Sequence, residues 1–306
     1  MNHFDHILVC IDLTDMDSFL IRYSNFLVEQ FKPKSITFMH VVRSYDIPKE
    51  MLESFPDLEE SVGDIVKEDV QEKVGQNFLH KDTVETKVEV EEGYTTETIV
   101  DYARKQKITL TLLGKKIGFQ GAGGVSRKIL SLVPSSVLLV SETTLPKIEN
   151  IMVRMDFTKI TGITMKMALK IQESTQAGIT CHHVYKLPLK YFPQNNPATE
   201  KRLKQEVEKH SEKEYQKFAK KVGFDPDQIP CTSTLDTESK EAQILYNQAL
   251  SSQSDLIMIG SKIKSTLADI VLDNTSEKLA GHEKNIPVLV VKDRNQTLGF
   301  LEALFK

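Results

Sequence analysis

The sequence predicts an α/β protein of two tandem doubly wound domains, each an open, five-stranded, mainly parallel sheet with helices on both faces. Three observations predict it. Short apolar runs alternate with amphipathic stretches, the pattern of βαβ units. The 306-residue chain states nearly the same pattern twice. The two copies are offset by about 145 residues, the length of a domain rather than of a solenoid unit.

The repeat is read directly. Residues 4–12, Phe-Asp-His-Ile-Leu-Val-Cys-Ile-Asp, are answered by residues 148–156, Ile-Glu-Asn-Ile-Met-Val-Arg-Met-Asp. Each closing aspartate is followed by an apolar residue and a threonine. Ser35-Ile-Thr-Phe-Met-His-Val-Val pairs with Gly178-Ile-Thr-Cys-His-His-Val-Tyr, and Ile108-Thr-Leu-Thr-Leu-Leu-Gly with Asp255-Leu-Ile-Met-Ile-Gly. Val137-Leu-Leu-Val pairs with Val288-Leu-Val-Val.

In the first copy, Ile7 to Ile11 is a continuous apolar run, the mark of a strand covered on both faces. Phe19, Leu20, Tyr23, Phe26, Leu27 and Phe31 recur at spacings of three and four, a helix over 17–31 that Pro33 ends. Ile36 to Val42 is the second strand. Residues 47–80 are acidic, with Met51, Leu58, Val66, Val70 and Val74 among the apolar positions, and read as one or two helices with a solvated face. Val84 to Val90 alternates as a strand, Thr96 to Lys105 is a helix, and Thr109 to Leu113 is a strand ending at Gly114. A glycine-rich turn leads to a helix over 126–133, and Val137 to Val140 closes the sheet. The second copy repeats this order with a long charged helix over 199–222, capped by Gly223. The expected domains are 1–143 and 148–293, followed by an apolar tail, 294–306, that has no counterpart in the first copy.

Composition narrows the function. Net charge is −4 and pI about 6.1, which argues against a nucleic-acid partner. The three cysteines form no CxxC, and Cys10 and Cys181 lie in apolar runs as small buried hydrophobes, in keeping with a reducing cytosol. No export signal and no run approaching ~20 apolar residues is present, so a cytoplasmic protein without a membrane span is expected. GxSxG, HExxH and the P-loop are absent, and no cysteine is set with a histidine for nucleophilic work, since Cys181 and its neighbour His182 in a strand-like run face opposite ways. The expectation is a non-enzymatic protein.

Ligands of open parallel sheets bind beyond the carboxyl ends of the strands, where the topology reverses. Three features of each copy fall there: Asp12 and Asp156 after strand one, His40-Val41 and His183-Val184 at the end of strand two, and Gly114 and Gly260 after strand four. The aspartates read equally as caps of the strand-to-helix turn and as ligand contacts. The glycine turn reads as a flexible loop or as a phosphate site. His40, His182 and His183 invite a metal reading, but consecutive strand residues face opposite ways, and no metal site is expected.

These motifs, in this order, resemble the universal stress protein family over nearly the whole chain. The resemblance implies a Rossmann-like domain of the adenine-nucleotide alpha-hydrolase type, here in a tandem two-domain form. Its ATP-binding members show G-x-x-G, nine residues, then G-[S/T] before a helix. In the second copy Ile263 replaces the second glycine, and Asp273-Asn274 stand where Gly-Ser belongs. A carboxylate at the phosphate position repels like charge, so this copy is expected to be degenerate, its equivalents being Asp156, Val184, Gly260, Asp273 and Asn274. In the first copy Gly114 is followed by Ile117, and the turn is shorter by about five residues, yet Gly123-Gly124-Val125-Ser126 offers main-chain N–H groups at a helix start. Asp12, Val41, Gly114, Gly123, Gly124, Val125 and Ser126 are therefore the candidate nucleotide or anion site, with ATP as a cofactor for domain 1 only. The implied role is a stress-response protein acting by ligand binding and association. Alternatives are an ATP-hydrolysing nucleotide switch and a binder of a non-nucleotide small molecule. The last strand of each copy is an apolar edge that invites pairing, and in the family these strands dimerise. An intramolecular pseudo-dimer, or a homodimer, is the expected association.

Overall fold

The computed structural model describes residues 3–43, 56–115, 124–188, 196–261 and 286–294, together with Thr297 and Gly299. In the first repeat the order is β1 (His6–Cys10), α1 (Met16–Phe31), β2 (Ser35–Val42), α2 (Pro56–Asn77), β3 (Glu85–Glu92), α3 (Thr95–Lys105), β4 (Leu110–Lys115), α4 (Gly124–Leu132) and β5 (Ser136–Ser141). In the second it is β6 (Asn150–Met155), α5 (Lys159–Thr175), β7 (Gly178–Tyr185), α6 (Pro197–Val222), β8 (Cys231–Leu235), α7 (Glu241–Ser251), β9 (Leu256–Gly260) and β10 (Val288–Val291).

Local chemistry explains the ends of these elements. Lys32 adopts φ 46° and donates its N–H to Val28 O, closing α1 just before Pro33. Asn196 caps α6 by accepting from Thr199 N at 2.9 Å, Pro197 opens its first turn, and Gly223 ends it at φ 94°. The acidic stretch expected as one or two helices contains α2, and its residues 47–55 lie outside the described residues. The tail lies almost wholly outside them too.

Strand order is β3-β2-β1-β4-β5-β10-β9-β6-β7-β8. Every pairing within a repeat is parallel, and the one between repeats, β5 with β10, is antiparallel. Val137, Leu138 and Leu139 face Val290, Leu289 and Val288 in register, all buried. Each of these side chains contributes roughly 1.5–3 kcal/mol of burial.

Alternation along the strands sorts side chains onto two faces. Ile7 and Val9 of β1, with Ile151 and Val153 of β6, face one core layer together with α1, α2, α5 and α6. Leu8 and Met152 face the other, with α3, α4 and α7. Helices therefore cover both faces, which is why the central strands are predominantly apolar.

Two contacts lock this frame. Gly114, at the end of β4, lies so close to α1 that a Cβ there would sit 2.6 Å from Met16 Cγ; one at Gly260 would sit 2.8 Å from Ile160 Cγ1 of α5. Both glycines are required by helix-on-strand packing. The second contact crosses the repeats. Lys292, just past β10, is 6 % exposed, and its Nζ donates to Ser131 O at 3.2 Å and Val133 O at 2.6 Å, at the carboxyl end of α4. A cation suits that end of a helix. Burial pushes this ammonium down to about 7.

Gly114→Ala should cost about 1–3 kcal/mol by overpacking. Gly124→Ala, whose Cβ meets nothing within 4 Å, should change stability by less than about 0.5 kcal/mol; urea titrations of both variants check the contrast. For Lys292 the folded pKa lies below that of the unfolded chain, so the unfolded state binds more protons between pH 7 and about 10 and stability rises with pH there. The stability difference between wild type and Lys292→Met should therefore shift towards wild type from pH 7 to 9, by up to about 1.4 kcal/mol per unit.

Candidate functional site

Strands β1 and β4 are neighbours, yet the chain leaves β1 for β2 on the other side. Their carboxyl ends thus flank the point where the winding reverses. A cleft of about 310 Å³ opens there, at the lower end of the roughly 300–1,000 Å³ typical of small-molecule sites. Cys10, Ile11 and Asp12 from β1 and its following turn, Val41 and Arg43 from β2 and beyond, and Leu113 and Gly114 from β4 form its floor. Met16 and Leu20 of α1 close one wall, Thr95 and Ile99 of α3 another. Val125, Ser126 and Ile129 bring the first turns of α4 to its rim.

The turn after β1 is built alike in both repeats. Leu13 and Phe157 hold φ of 61° and 57°, a left-handed backbone that is strained for residues with a Cβ. The preceding aspartate steadies it: Asp12 Oδ1 accepts from Thr14 N at 3.2 Å and from the Thr14 hydroxyl, and Asp156 Oδ1 accepts from Thr158 N at 3.2 Å and from the hydroxyls of Thr158 and Thr161. The turn-capping reading of both aspartates thus has a geometric basis, and Asp12 also lines the cleft. Behind it, Asp17 Oδ1 accepts from Asp12 N at 2.9 Å, and burial pushes the Asp17 carboxyl up to about 6. His40 Nδ1 bonds Ile11 O at 2.9 Å, and His183 Nδ1 bonds Met155 O at 2.8 Å, tying strand two to strand one in each repeat. Burial pushes the Cys10 thiol up to about 12, far from a reactive thiolate. The cleft offers an apolar chamber, a few hydroxyls and an arginine, and a helix start.

The structure brings Asp12, Val41, Gly114, Val125 and Ser126 together around this cleft. Gly124 is the first residue of α4, with open space at its Cβ; Gly123 lies outside the described residues. In the second repeat Asp156 follows β6, Val184 lies in β7 and Gly260 ends β9, whereas Asp273 and Asn274 lie outside the described residues.

Sequence reasoning missed the pair that distinguishes the repeats. Cys10 corresponds to Arg154, and Thr95, the first residue of α3, to Glu241, the first of α7. Where the first cleft has a thiol and a hydroxyl, the second has an ion pair: Arg154 Nε donates to Glu241 Oε1 at 2.6 Å, with Nη1 3.9 Å from Asp156 Oδ2. The Arg154 side chain is 10 % exposed and reaches from β6 to the first residue of α7. A charged residue opposite Cys10 in the aligned strands was the available signal, but its partner stands far along the chain.

Comparison with solved structures places this fold among known ones. A functionally unknown protein from Pseudomonas aeruginosa PAO1 is similar at TM-score 0.67 and 13 % identity, covering 98 % of this chain and 96 % of its own. A putative universal stress protein from Pseudomonas aeruginosa UCBPP-PA14 aligns at TM-score 0.67 and 14 % identity over 99 % and 98 %. A universal stress protein from Archaeoglobus fulgidus DSM 4304 aligns at TM-score 0.64 and 15 % identity over 94 % and 98 %. At such identities the likeness concerns the fold. None of the curated proteins matches the sequence. The model of the universal stress protein family, however, matches residues 3–141 and again 147–292, and on those two matches the chain belongs to the universal stress protein family, carrying its domain twice.

Proposed function

We propose that this is a stress-response binding protein whose first domain, residues 1–143, takes one adenine-nucleotide-like ligand. The second domain, 148–293, serves as its structural partner. The observation that carries this reading is a cleft that unites an apolar chamber with the start of α4. A ring would lie among Val41, Ile99 and Leu113, and an anionic group would meet the N–H groups near Gly124, Val125 and Ser126. The tight Arg154–Glu241 pair in the second domain supports a one-site protein, since a ligand there would have to displace a part-buried ion pair.

The β5–β10 pairing supports an intramolecular pseudo-dimer, in which each domain covers the other's edge. Binding rather than turnover is favoured by the protonated Cys10 thiol and by the backbone bond that holds His40. No helix among the described residues is long and apolar enough to cross a membrane, and the net charge of −4 disfavours nucleic acid. We place the protein in the cytoplasm.

Isothermal titration of the full chain with ATP, with and without Mg²⁺, should give one site per chain. Gly124→Asp should weaken it about tenfold or more while leaving the fold intact, because an acid at a helix start stabilises the helix. Absence of heat and of any thermal shift at millimolar ATP would remove the nucleotide, and native mass spectrometry of the purified protein would then identify a co-purified ligand of another class. Separately, Arg154→Cys should destabilise the protein by about 2 kcal/mol by stranding Glu241, and adding Glu241→Thr should recover most of it. A double-mutant cycle in urea measures the coupling.

A further inference from the structure

We propose that Cys181 and Cys231 form a peroxide-oxidisable dithiol that closes to a disulfide across the outer edge of the second domain. The two are Cα partners in the register of the parallel pair β7–β8, and Cys181 N donates to Pro230 O at 2.8 Å beside them. Register partners on neighbouring strands stand about 4.8 Å apart and point to the same face, within the roughly 4.4–6.8 Å between Cα atoms that a disulfide spans. The Cα spacing of the pair therefore lies within the range of a disulfide.

Their surroundings agree. Cys181 is 1 % exposed and shares a core layer with Tyr215 and Ile229, and half-buried Cys231 packs against that same layer. The Tyr215 hydroxyl donates to Ile229 O and is hydrogen-bonded with the Cys181 thiol. Packing does not require sulfur here, because the corresponding register pair of the first domain is Phe38 with Val88. The third cysteine, Cys10, lies on β1 in the other half of the sheet and packs against the opposite face.

Access differs between the two thiols. Among the described residues β8 pairs only with β7 and is the terminal strand of the sheet, so Cys231 is the one a small oxidant reaches. Burial raises both thiols and keeps them protonated. The pair is therefore slow and answers a strong oxidant rather than the ambient one.

In the first step the Cys231 sulfur attacks one oxygen of hydrogen peroxide. An S–O bond forms, the O–O bond breaks, and the departing hydroxide takes the thiol proton and leaves as water. In the second, the Cys181 sulfur attacks that of the Cys231 sulfenic acid. The S–S bond forms, the S–O bond breaks, and hydroxide leaves as a second water with the proton of Cys181. Two thiols and one peroxide give one disulfide and two waters; the peroxide is reduced and the sulfurs are oxidised. The product would fasten the edge strand β8 to β7, closing a covalent loop around α6. This property is independent of the ligand of the first domain.

The test treats the full chain with millimolar hydrogen peroxide, unfolds it, alkylates the remaining thiols and maps the peptides. One alkylated cysteine, Cys10, is expected, with a Cys181–Cys231 linked peptide, a mass loss of about 2 Da before alkylation and full reversal by dithiothreitol. Cys231→Ser should abolish the link, and Cys10→Ser should leave it unchanged. Three alkylated thiols after prolonged treatment overturn the proposal. So does oxidation of Cys231 to the sulfinic acid without a link, a bond involving Cys10, or one between two chains.

Discussion

A parallel sheet wound by crossover helices always ends in strands with one unpaired side, and in this chain the two that face each other, β5 and β10, carry the apolar runs Val137–Val140 and Val288–Val291. The backbone groups of β5 and the side chains of Val137, Leu138 and Leu139 need a partner, and β10 supplies it antiparallel. Much else depends on that pairing. It merges two five-stranded sheets into one of ten strands, and it carries Lys292 under the carboxyl end of α4. Because it is antiparallel, the carboxyl ends of the two sets of strands point in opposite directions. The first cleft and the corresponding strand ends of the second domain therefore lie at opposite ends of the sheet, and one extended ligand cannot reach both.

Within that frame the two domains have diverged by compensated exchange. Replacing a thiol by a guanidinium at the end of a buried strand would leave a charge stranded in a poorly solvated place. Glu241 at the first turn of α7 neutralises it, and its carboxylate also suits the start of a helix. The exchange leaves the guanidinium paired rather than stranded. The first domain keeps the neutral pair Cys10 and Thr95 and, with it, an open chamber. The glycines after the fourth strands show the other side of this history: Gly114 and Gly260 persist in both domains because α1 and α5 press on them, whether or not a ligand is bound nearby.

The architecture was legible because it rests on local rules: runs of apolar residues covered on both faces, three-and-four spacing in the helices, Pro33 and Gly223 at helix ends. The cleft was legible in part, since Asp12, Val41 and Gly114 end strands whose order follows from the winding. Thr95, Ile99 and Arg43 were not, because which helix start leans over which strand end is decided by sheet order and twist. Arg154 stood in plain view, yet its meaning depends on Glu241, which only the fold brings near. The register of Cys181 with Cys231 was hidden for the same reason: half a hundred intervening residues separate two positions that the sheet makes neighbours. Lys292 reads in the sequence as an ordinary surface lysine after a strand, and only the seam makes it an interior group.

The seam has a consequence for synthesis. The partner of β5 lies about 150 residues downstream, so at ribosomal rates of about 5–20 residues per second the first domain spends roughly 8 to 30 s with its apolar edge bare. During that interval the edge is open to any strand at hand, including the same strand of a neighbouring nascent chain. A second domain on the same polypeptide raises the local concentration of the correct partner far above that of strays. The tandem arrangement thus turns an encounter between molecules into a reaction within one, and its yield depends on translation speed and on chaperones that shield exposed edges rather than on how much of the protein has accumulated.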